Sequence, residues 1–584
     1  MKHLLKHLWS HLSSRRRLQF CLVSVLMFFA SFAEIMSVGA VIPFLGVIAD
    51  PSLVYENPVM QPIIRLFDVT EPNELILPIT LVFIGAAILA GSIRLLLLYA
   101  TTRLSYGAGH DLSADLYRRT LYQSYSVHVA RNSSEVINGI ITKTSTVISG
   151  VLTPVLTLIS SIIIMTGILG LLSYINLVIA IIAFGSFGTL YMGVIYYTRA
   201  RIRTNSQIIA QQTTTVVKSL QEGLMGIRDV LIHDSQELYS RMYRKADLPF
   251  RRASGNNLFI SGSPRFAMES IGMSLIAVMA YLMTQQDNQL TNSLPMLGAL
   301  ALGAQRLLPI MQQAFGSYSA IKGSRSSLED VIRLLNQSIP SHAGQPLPKR
   351  IPFNRKISLE NVSFRYLQEG PWILNSINLE IKKGSRVGII GATGSGKSTL
   401  FDLIVGLFTP SEGQLRVDDE IINEQNIRSW RARIAHVPQD IYLSDTSILE
   451  NIAFGVPPDQ IDFERVKRAA QGAQVDDLIE SWDMKYKTFV GEHGIRLSGG
   501  QRQRIGIARA LYKRADVLIF DEATSALDNE TEKLVVESIE GLNKELTVLI
   551  IAHRLTTLRN CDEIIKVSNK TLKVTSYKQA INEI

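Results

Sequence analysis

The segment Gly391-Ala392-Thr393-Gly394-Ser395-Gly396-Lys397-Ser398-Thr399 stands directly behind a short apolar run, Arg386 to Ile390, and ahead of a helical pattern beginning Leu400-Phe401. A strand passing through a glycine-rich turn into a helix is the setting in which G-x-x-x-x-G-K-[ST] binds phosphate. Gly391, Gly394 and Gly396 let backbone N–H groups approach phosphate oxygens, and the helix N-terminus adds positive potential. In this loop Lys397 reaches the β- and γ-phosphates and the Ser398 hydroxyl ligates Mg²⁺, with Ser395 and Thr399 completing the cradle. The stretch predicts an α/β domain built around a nucleotide.

Further along, the apolar run Val517 to Phe520 ends in Asp521-Glu522. Ligands of an open parallel sheet collect at the C-terminal ends of its strands. Asp521 there holds the Mg²⁺ shell and Glu522 polarises the attacking water. Alone, such a pair reads equally well as a solvated strand end; with the phosphate loop upstream, the catalytic reading prevails. Between the two lies Leu497-Ser498-Gly499-Gly500-Gln501, which opens a helix running to Tyr512. It makes a second helix N-terminus suited to an anion. One nucleotide does not easily reach both ends within one subunit, so a homodimer is expected, with ATP between one phosphate loop and the partner's LSGGQ.

The rest of the chain has a different character. Of 584 residues, 47% are apolar and only 19% charged, which excludes a disordered chain. Two cysteines, Cys21 and Cys561, exclude a disulfide scaffold. The net charge of +9 divides unevenly. Residues 357–584 carry 28 Lys/Arg against 32 Asp/Glu, a net of −4, while residues 1–356 carry 31 against 18, a net of +13. The basic half is also the apolar half, which points to a membrane and away from nucleic acid. A bilayer core requires about 20 apolar residues per helix. Six spans are read at about 18–49, 75–103, 144–172, 175–198, 256–286 and 290–321, with the turn between the third and fourth at Ser173 to Asn176. The membrane domain is then 1–335, the Pro-rich linker 336–356 and the nucleotide-binding domain 357–584.

Flanking charge orients the spans. Residues 1–17 hold five Lys/Arg and no acid and read as a basic amphipathic helix at the cytoplasmic interface. The first apolar run is too long for a cleavable signal peptide. Loop 50–74 has five acids against Arg65 and suits the outside; segment 199–255 has ten Lys/Arg against five acids and suits the inside. In loop 50–74, Val59 to Phe67 reads as a short surface helix or as an ordered loop. The long inner segments imply that helices 2 to 5 continue into the cytoplasm. They would dock on the cassette near Leu121 to Val127 and Leu231 to Leu238.

With these motifs in place the chain resembles the ATP-binding cassette (ABC) transporters along its whole length. Six spans followed by one cassette is the layout of a half-size exporter of the type IV fold. The resemblance implies further roles. Tyr366 of Phe364-Arg-Tyr366 matches the aromatic that stacks on adenine. Gln439 of Val437-Pro-Gln439 matches the glutamine that senses the γ-phosphate and the metal. Asp528 of Ser525-Ala-Leu-Asp528 matches the loop facing the partner site. His553 matches the histidine contacting the γ-phosphate, and Glu492 resembles the exporter loop that reports to the membrane helices. The catalytic set is Glu522, His553, Gln439 and Lys397, the metal set Ser398, Gln439 and Asp521. No catalytic position departs from the family pattern, so both sites of a homodimer should hydrolyse ATP.

Three arginines, Arg94, Arg265 and Arg306, lie inside apolar spans. Counted from the outer ends at 1.5 Å per residue, all three fall roughly 24–32 Å deep, toward the inner leaflet. Arginine prefers bidentate phosphate contacts and stays charged when buried. A structural reading stands beside this one: Arg265 can pair with Glu269, Arg94 can snorkel, and Glu34 can neutralise one of the three. Glu34 with Ile42-Pro-Phe44, Arg94, Pro264-Arg265 and Arg306-Leu-Leu-Pro309 look like the bacterial flippases of lipid-linked oligosaccharides. That resemblance implies a flippase of the bacterial inner membrane whose arginines hold a pyrophosphate-linked lipid-glycan. The competing cargoes are a lipid A precursor, a peptide or a drug. A non-transporting ATP-binding regulator is the alternative of another class.

Overall fold

The computed structural model describes residues 1–175, 177–286, 290–521, 533–534, 545–551 and 558–582. It divides into two compact units, the first comprising Met1–Gln123 and His128–Ser341, the second Ser124–Val127 and His342–Ile584.

The first unit is helical. Its opening helix α1 (Lys2–His11) turns Leu8 and, just past its end, Leu12 into the core while Lys2, Lys6 and Trp9 stay exposed. Leu12 is extended, and the Ser13 hydroxyl accepts from the Arg16 N–H to start α2 (Ser14–Gly39). The break at Ala40 separates α2 from α3 (Val41–Ala49). Helix α4 (Ile76–Leu121) has 46 residues, about 69 Å at 1.5 Å per residue and well beyond a ~30 Å bilayer core. Arg16 ties α2 to α4 with a forked pair to Asp111, Nε to Oδ2 at 2.8 Å and Nη2 to Oδ1 at 3.2 Å.

The third apolar segment is helical from Ser133, ending in α5 (Thr153–Ile175), and includes two π-helical turns, Gly139–Lys143 and Ile148–Leu152. The first places Lys143, 6% exposed, against Asp330, Nζ to Oδ2 at 2.6 Å. Then come α6 (Leu177–Met225), α7 (Gln236–Gly262), α8 (Pro264–Gln286), α9 (Leu290–Gly323) and α10 (Arg325–Leu335). Pro264 begins α8, where its missing N–H costs nothing. Helix α10 is amphipathic and buries Leu328, Val331, Ile332 and Leu335 in one cluster with Leu8, Leu12, Leu112, Leu116 and Val151. In loop 50–74, Gln61–Leu66 is a helical turn and half-encloses a small core of Val47, Ile64, Val69 and Leu75. Among the described residues three helices are long and apolar enough to cross a membrane: Ser14–Ile48, Pro72–Leu121 and Ser133–Leu171.

The second unit contains two sheets. An antiparallel sheet has the order β2-β1-β4-β5, from β1 (Lys356–Phe364), β2 (Leu374–Lys382), β4 (Glu412–Val417) and β5 (Glu420–Ile421). The other has the order β10-β9-β3-β8-β7-β6. Its strands are β3 (Arg386–Ile390), β6 (Ile434–Val437), β7 (Val517–Asp521), β8 (Thr547–Ile551), β9 (Glu563–Ser568) and β10 (Thr571–Thr575). All pairings except β9 with β10 are parallel. The central strands are nearly continuous apolar runs, as burial on both faces demands. From β3 the chain leaves for the edge strand β6 and returns through β7 and β8, while β9 lies on the other side of β3. The C-terminal ends of β3 and β7 therefore flank that of β8.

Candidate nucleotide site

The phosphate loop leaves β3 and enters α11 (Lys397–Val405). Gly394 and Gly396 take left-handed backbone, φ +80° and +102°. At Gly391, φ +157°, a Cβ would lie 2.5 Å from the Val567 carbonyl oxygen and 2.7 Å from Ser395 Oγ. A side chain there would collide with backbone, so glycine is required by the fit itself. The Lys397 side chain is buried and its Nζ donates to the carbonyls of Gly391, 2.8 Å, and Ala392, 3.1 Å. Ser395 Oγ is buried without a hydrogen-bond partner. An ammonium at the centre of the loop, an orphaned hydroxyl and a helix N-terminus fit a nucleotide polyphosphate.

Beside the loop, Tyr366 and Thr399 share a hydroxyl–hydroxyl hydrogen bond of 2.9 Å. The Tyr366 ring is half exposed and meets Phe364 and Phe408 edge-on, with ring centres 5.2 and 5.4 Å away. Within the same unit Tyr125 packs on Phe408 at 5.3 Å, so a segment expected to dock on the cassette groups with it. A rigid aromatic surface with one free face is what an adenine requires.

Across the sheet, Asp521 closes β7. Asp402 of α11 faces it, and burial together with the Asp521 charge pushes the Asp402 carboxyl up to about 6. No sequence motif marks Asp402 as part of the site; only the packing of α11 over the sheet brings it there. A divalent ion there would neutralise both carboxylates and the polyphosphate, with Ser398, Asp521 and Gln439 the residues to hold it. Ser398 is exposed at the start of α11, and Gln439 is exposed in the turn after β6.

The LSGGQ segment shows why its residues stand where they do. Ser498 caps α12 (Gly499–Tyr512): its Oγ accepts from the Gln501 N–H at 3.2 Å, and Gln501 Oε1 accepts from the Ser498 N–H at 2.8 Å. This reciprocal box satisfies two N–H groups of the first turn and leaves Gly499 and Gly500 to present theirs. On the same helix Arg509 donates to the carbonyls of Asn451 and Tyr442, each at 2.9 Å, and to Asn451 Oδ1 at 3.2 Å. Its guanidinium also lies over the Phe454 ring. Arg509 thus fixes the segment following Gln439 to the helix that carries the signature. The sequence offered no motif for it.

Glu522, Asp528 and His553 lie outside the described residues. So does the side chain of Arg306, although its position falls on α9. Of the arginines within the apolar segments, Arg94 meets Glu34, Nη1 to Oε1 at 3.5 Å, with Arg94 46% exposed and Glu34 buried. Arg265 pairs with Glu269 one turn along α8, Nε to Oε1 at 2.6 Å. Each described arginine therefore has a carboxylate beside it, as the structural reading of the sequence anticipated.

Comparison with known proteins agrees with the two-part layout. Residues 18–301 match the family model for the ABC transporter transmembrane region, and residues 374–525 that of the ABC transporter. The ATP-dependent lipid A-core flippase of Alkalilimnicola ehrlichii is 30% identical over 399 residues, 68% of this chain and 67% of that protein. The protein of the same description from Cupriavidus metallidurans is 29% identical over 494 residues, 82% of this chain and 81% of its own. The leukotoxin translocation ATP-binding protein of a Pasteurella haemolytica-like species is 41% identical over 267 residues, 45% of this chain and 37% of its own. In fold, a bacterial Atm1-family ABC exporter with ATP bound covers 98% of this chain and 97% of its own, with TM-score 0.79 at 23% identity. The phosphate loop, the capped signature helix and the long apolar helices thus belong to an ATP-hydrolysing exporter, and the chain is a member of the ABC transporter family.

Proposed function

We propose that the protein is a flippase that uses ATP to carry a lipid-linked glycan, its pyrophosphate held by arginine, across the bacterial inner membrane. It works as a homodimer by alternating access. The observation that supports this cargo is the half-exposed guanidinium of Arg94, the one charged residue in the apolar stretch 76–100 of α4, beside buried Glu34. A single 3.5 Å contact leaves most of the five donors of an arginine available to a phosphate. In the proposed cycle ATP closes two cassettes, each site formed by one phosphate loop and the partner's signature helix. Glu522 positions the water, His553 and Gln439 contact the γ-phosphate, and Asp528 faces the partner site. Hydrolysis then resets the cavity.

A second cargo is favoured by the relatives, two of which are described as lipid A-core flippases. Both cargoes are glycolipids with phosphate near the membrane surface. Reconstituted protein, assayed for flipping and ATPase with each lipid, separates them. Arg94→Ala, Arg265→Ala and Arg306→Ala together should keep basal ATPase and lose flipping of the pyrophosphate-linked glycan. Full flipping by the triple variant overturns the arginine reading. Glu522→Gln should abolish ATPase; an unchanged rate would favour a non-transporting regulator.

A further inference from the structure

A groove of about 290 Å³ opens at the base of the first unit, between α1, the start of α2 and the π-helical turn that precedes α5. Its walls are apolar: Leu8, Leu12 and Phe20 on one side, Val151, Leu152 and Val155 on the other. At the ~30 Å³ share of a water-sized group, the space holds roughly ten such groups. Trp9, 41% exposed, and Ile159, 40% exposed, stand at its edge. The π turn Ile148–Leu152 contributes two wall residues and widens the helix locally where the groove lies.

Two of the three helices long and apolar enough to cross a membrane, Ser14–Ile48 and Ser133–Leu171, supply most of the lining. The groove therefore sits at the end of α2 marked by Arg15, Arg16 and Arg17. The segment that forms its first wall is basic: residues 1–33 contain Lys2, Lys6 and these three arginines and no acid. Arg16 is committed to Asp111, and Arg17 donates to the Ser10 carbonyl. Lys2, Lys6 and Arg15 are exposed. Lys6 precedes Trp9 by three residues and Lys2 precedes Lys6 by four, so both ammonium groups run along the flank of α1 next to the Trp9 edge.

We infer that this groove is a binding site for an anionic phospholipid of the surrounding bilayer, one acyl chain lying along Phe20 and Val155 and the headgroup drawn by the positive charge of Lys2, Lys6 and Arg15. An apolar slot accepts any acyl chain; the cationic flank, with no carboxylate among its residues, selects the anionic headgroup. Trp9 is suited to the boundary between the two environments. The site is separate from the proposed cargo residues, Arg94, Arg265 and Arg306.

Trp9 reports on it directly. The full-length protein is placed in nanodiscs in which either phosphatidylglycerol or phosphatidylcholine carries the brominated chains, at equal bromine content. Trp9 quenching is taken as the difference between the wild type and Trp9→Phe. The expected result is quenching by brominated phosphatidylglycerol about twofold or more above that by brominated phosphatidylcholine. Lys2→Gln, Lys6→Gln and Arg15→Gln together should bring the two lipids to parity, and Val155→Phe should lower the phosphatidylglycerol signal by filling the slot. Equal quenching by both lipids in the wild type overturns the proposal. So does quenching by neither, which would mean that a second copy of the chain covers the groove.

Discussion

Arg509, on the helix that begins with the signature, donates to the Tyr442 carbonyl at 2.9 Å, three residues beyond Gln439. Burial holds its guanidinium down at about 10, so a costly desolvated charge is kept there by its acceptors. The bond couples the stretch after Gln439 to the helix that opens with LSGGQ. Arg509→Ala should lower ATPase kcat about tenfold, since charge-assisted bonds of this kind contribute roughly 1.5–3 kcal/mol. The KM for ATP should change less than twofold. Arg509→Lys, which lacks the planar fork, should recover only part of the loss. Steady-state ATPase assays test this.

Tyr366 is held by Thr399, its hydroxyl 2.9 Å away. Tyr366→Phe removes that bond and should raise the KM for ATP about three- to fivefold, near 1 kcal/mol, with kcat unchanged. Tyr366→Ala also removes the stacking face and should raise it at least tenfold. Nucleotide titration of the purified transporter distinguishes the two.

Two glycines of the phosphate loop should respond differently to alanine. At Gly391 the new methyl meets the Val567 carbonyl oxygen at 2.5 Å, so the loop must shift and ATP binding should be lost. At Gly394 nothing lies within 4 Å of a Cβ. There the cost is backbone strain alone, about 1–2 kcal/mol at φ +80°. Gly394→Ala should retain binding weakened by roughly tenfold or somewhat more. Direct ATP binding measurements on both variants check the contrast.

His436, the residue before Val437 in β6, packs on Phe401 with its Nε2 buried and unpaired. Burial drives its imidazolium down to about 4 from an ordinary 6.5. The folded state therefore excludes a proton that the unfolded chain accepts. The stability it contributes is complete above pH 6.5 and is lost as pH falls toward 4. At pH 5 the loss should be about 2 kcal/mol. His436→Phe should flatten this part of the profile, read as the unfolding midpoint of the cassette transition between pH 7 and pH 5.

The chemistry legible in the sequence is the chemistry carried by neighbours along the chain. The loop from Gly391 to Thr399 and the acid at the end of β7 announce themselves because strand, turn and ligand group follow within a few residues. So does the pairing of Arg265 with Glu269, set by one helical turn. Contacts made between distant segments left no such trace. Asp402 comes to Asp521 only when α11 packs on the sheet, and Arg509 comes to Tyr442 across 67 positions. Lys143, which the hydropathy pattern set just outside a span, is turned inward to Asp330 by a π turn that no composition rule predicts.

Those π turns have a consequence for how the chain can change length. Each holds one residue more than an α turn, and one residue corresponds to about 100° of rotation around the axis. Gly139–Lys143 and Ile148–Leu152 therefore act as two indexing steps along a single helix. Deleting one residue inside either turn should restore α geometry and rotate one segment against the other, leaving both intact. Removal of a residue from the first would swing the Lys143 side of the helix away from α10; removal from the second would close the groove beside Val151. Homologous chains of different length should carry their single-residue gaps at these two places, where an insertion reorients a face of the helix without breaking it.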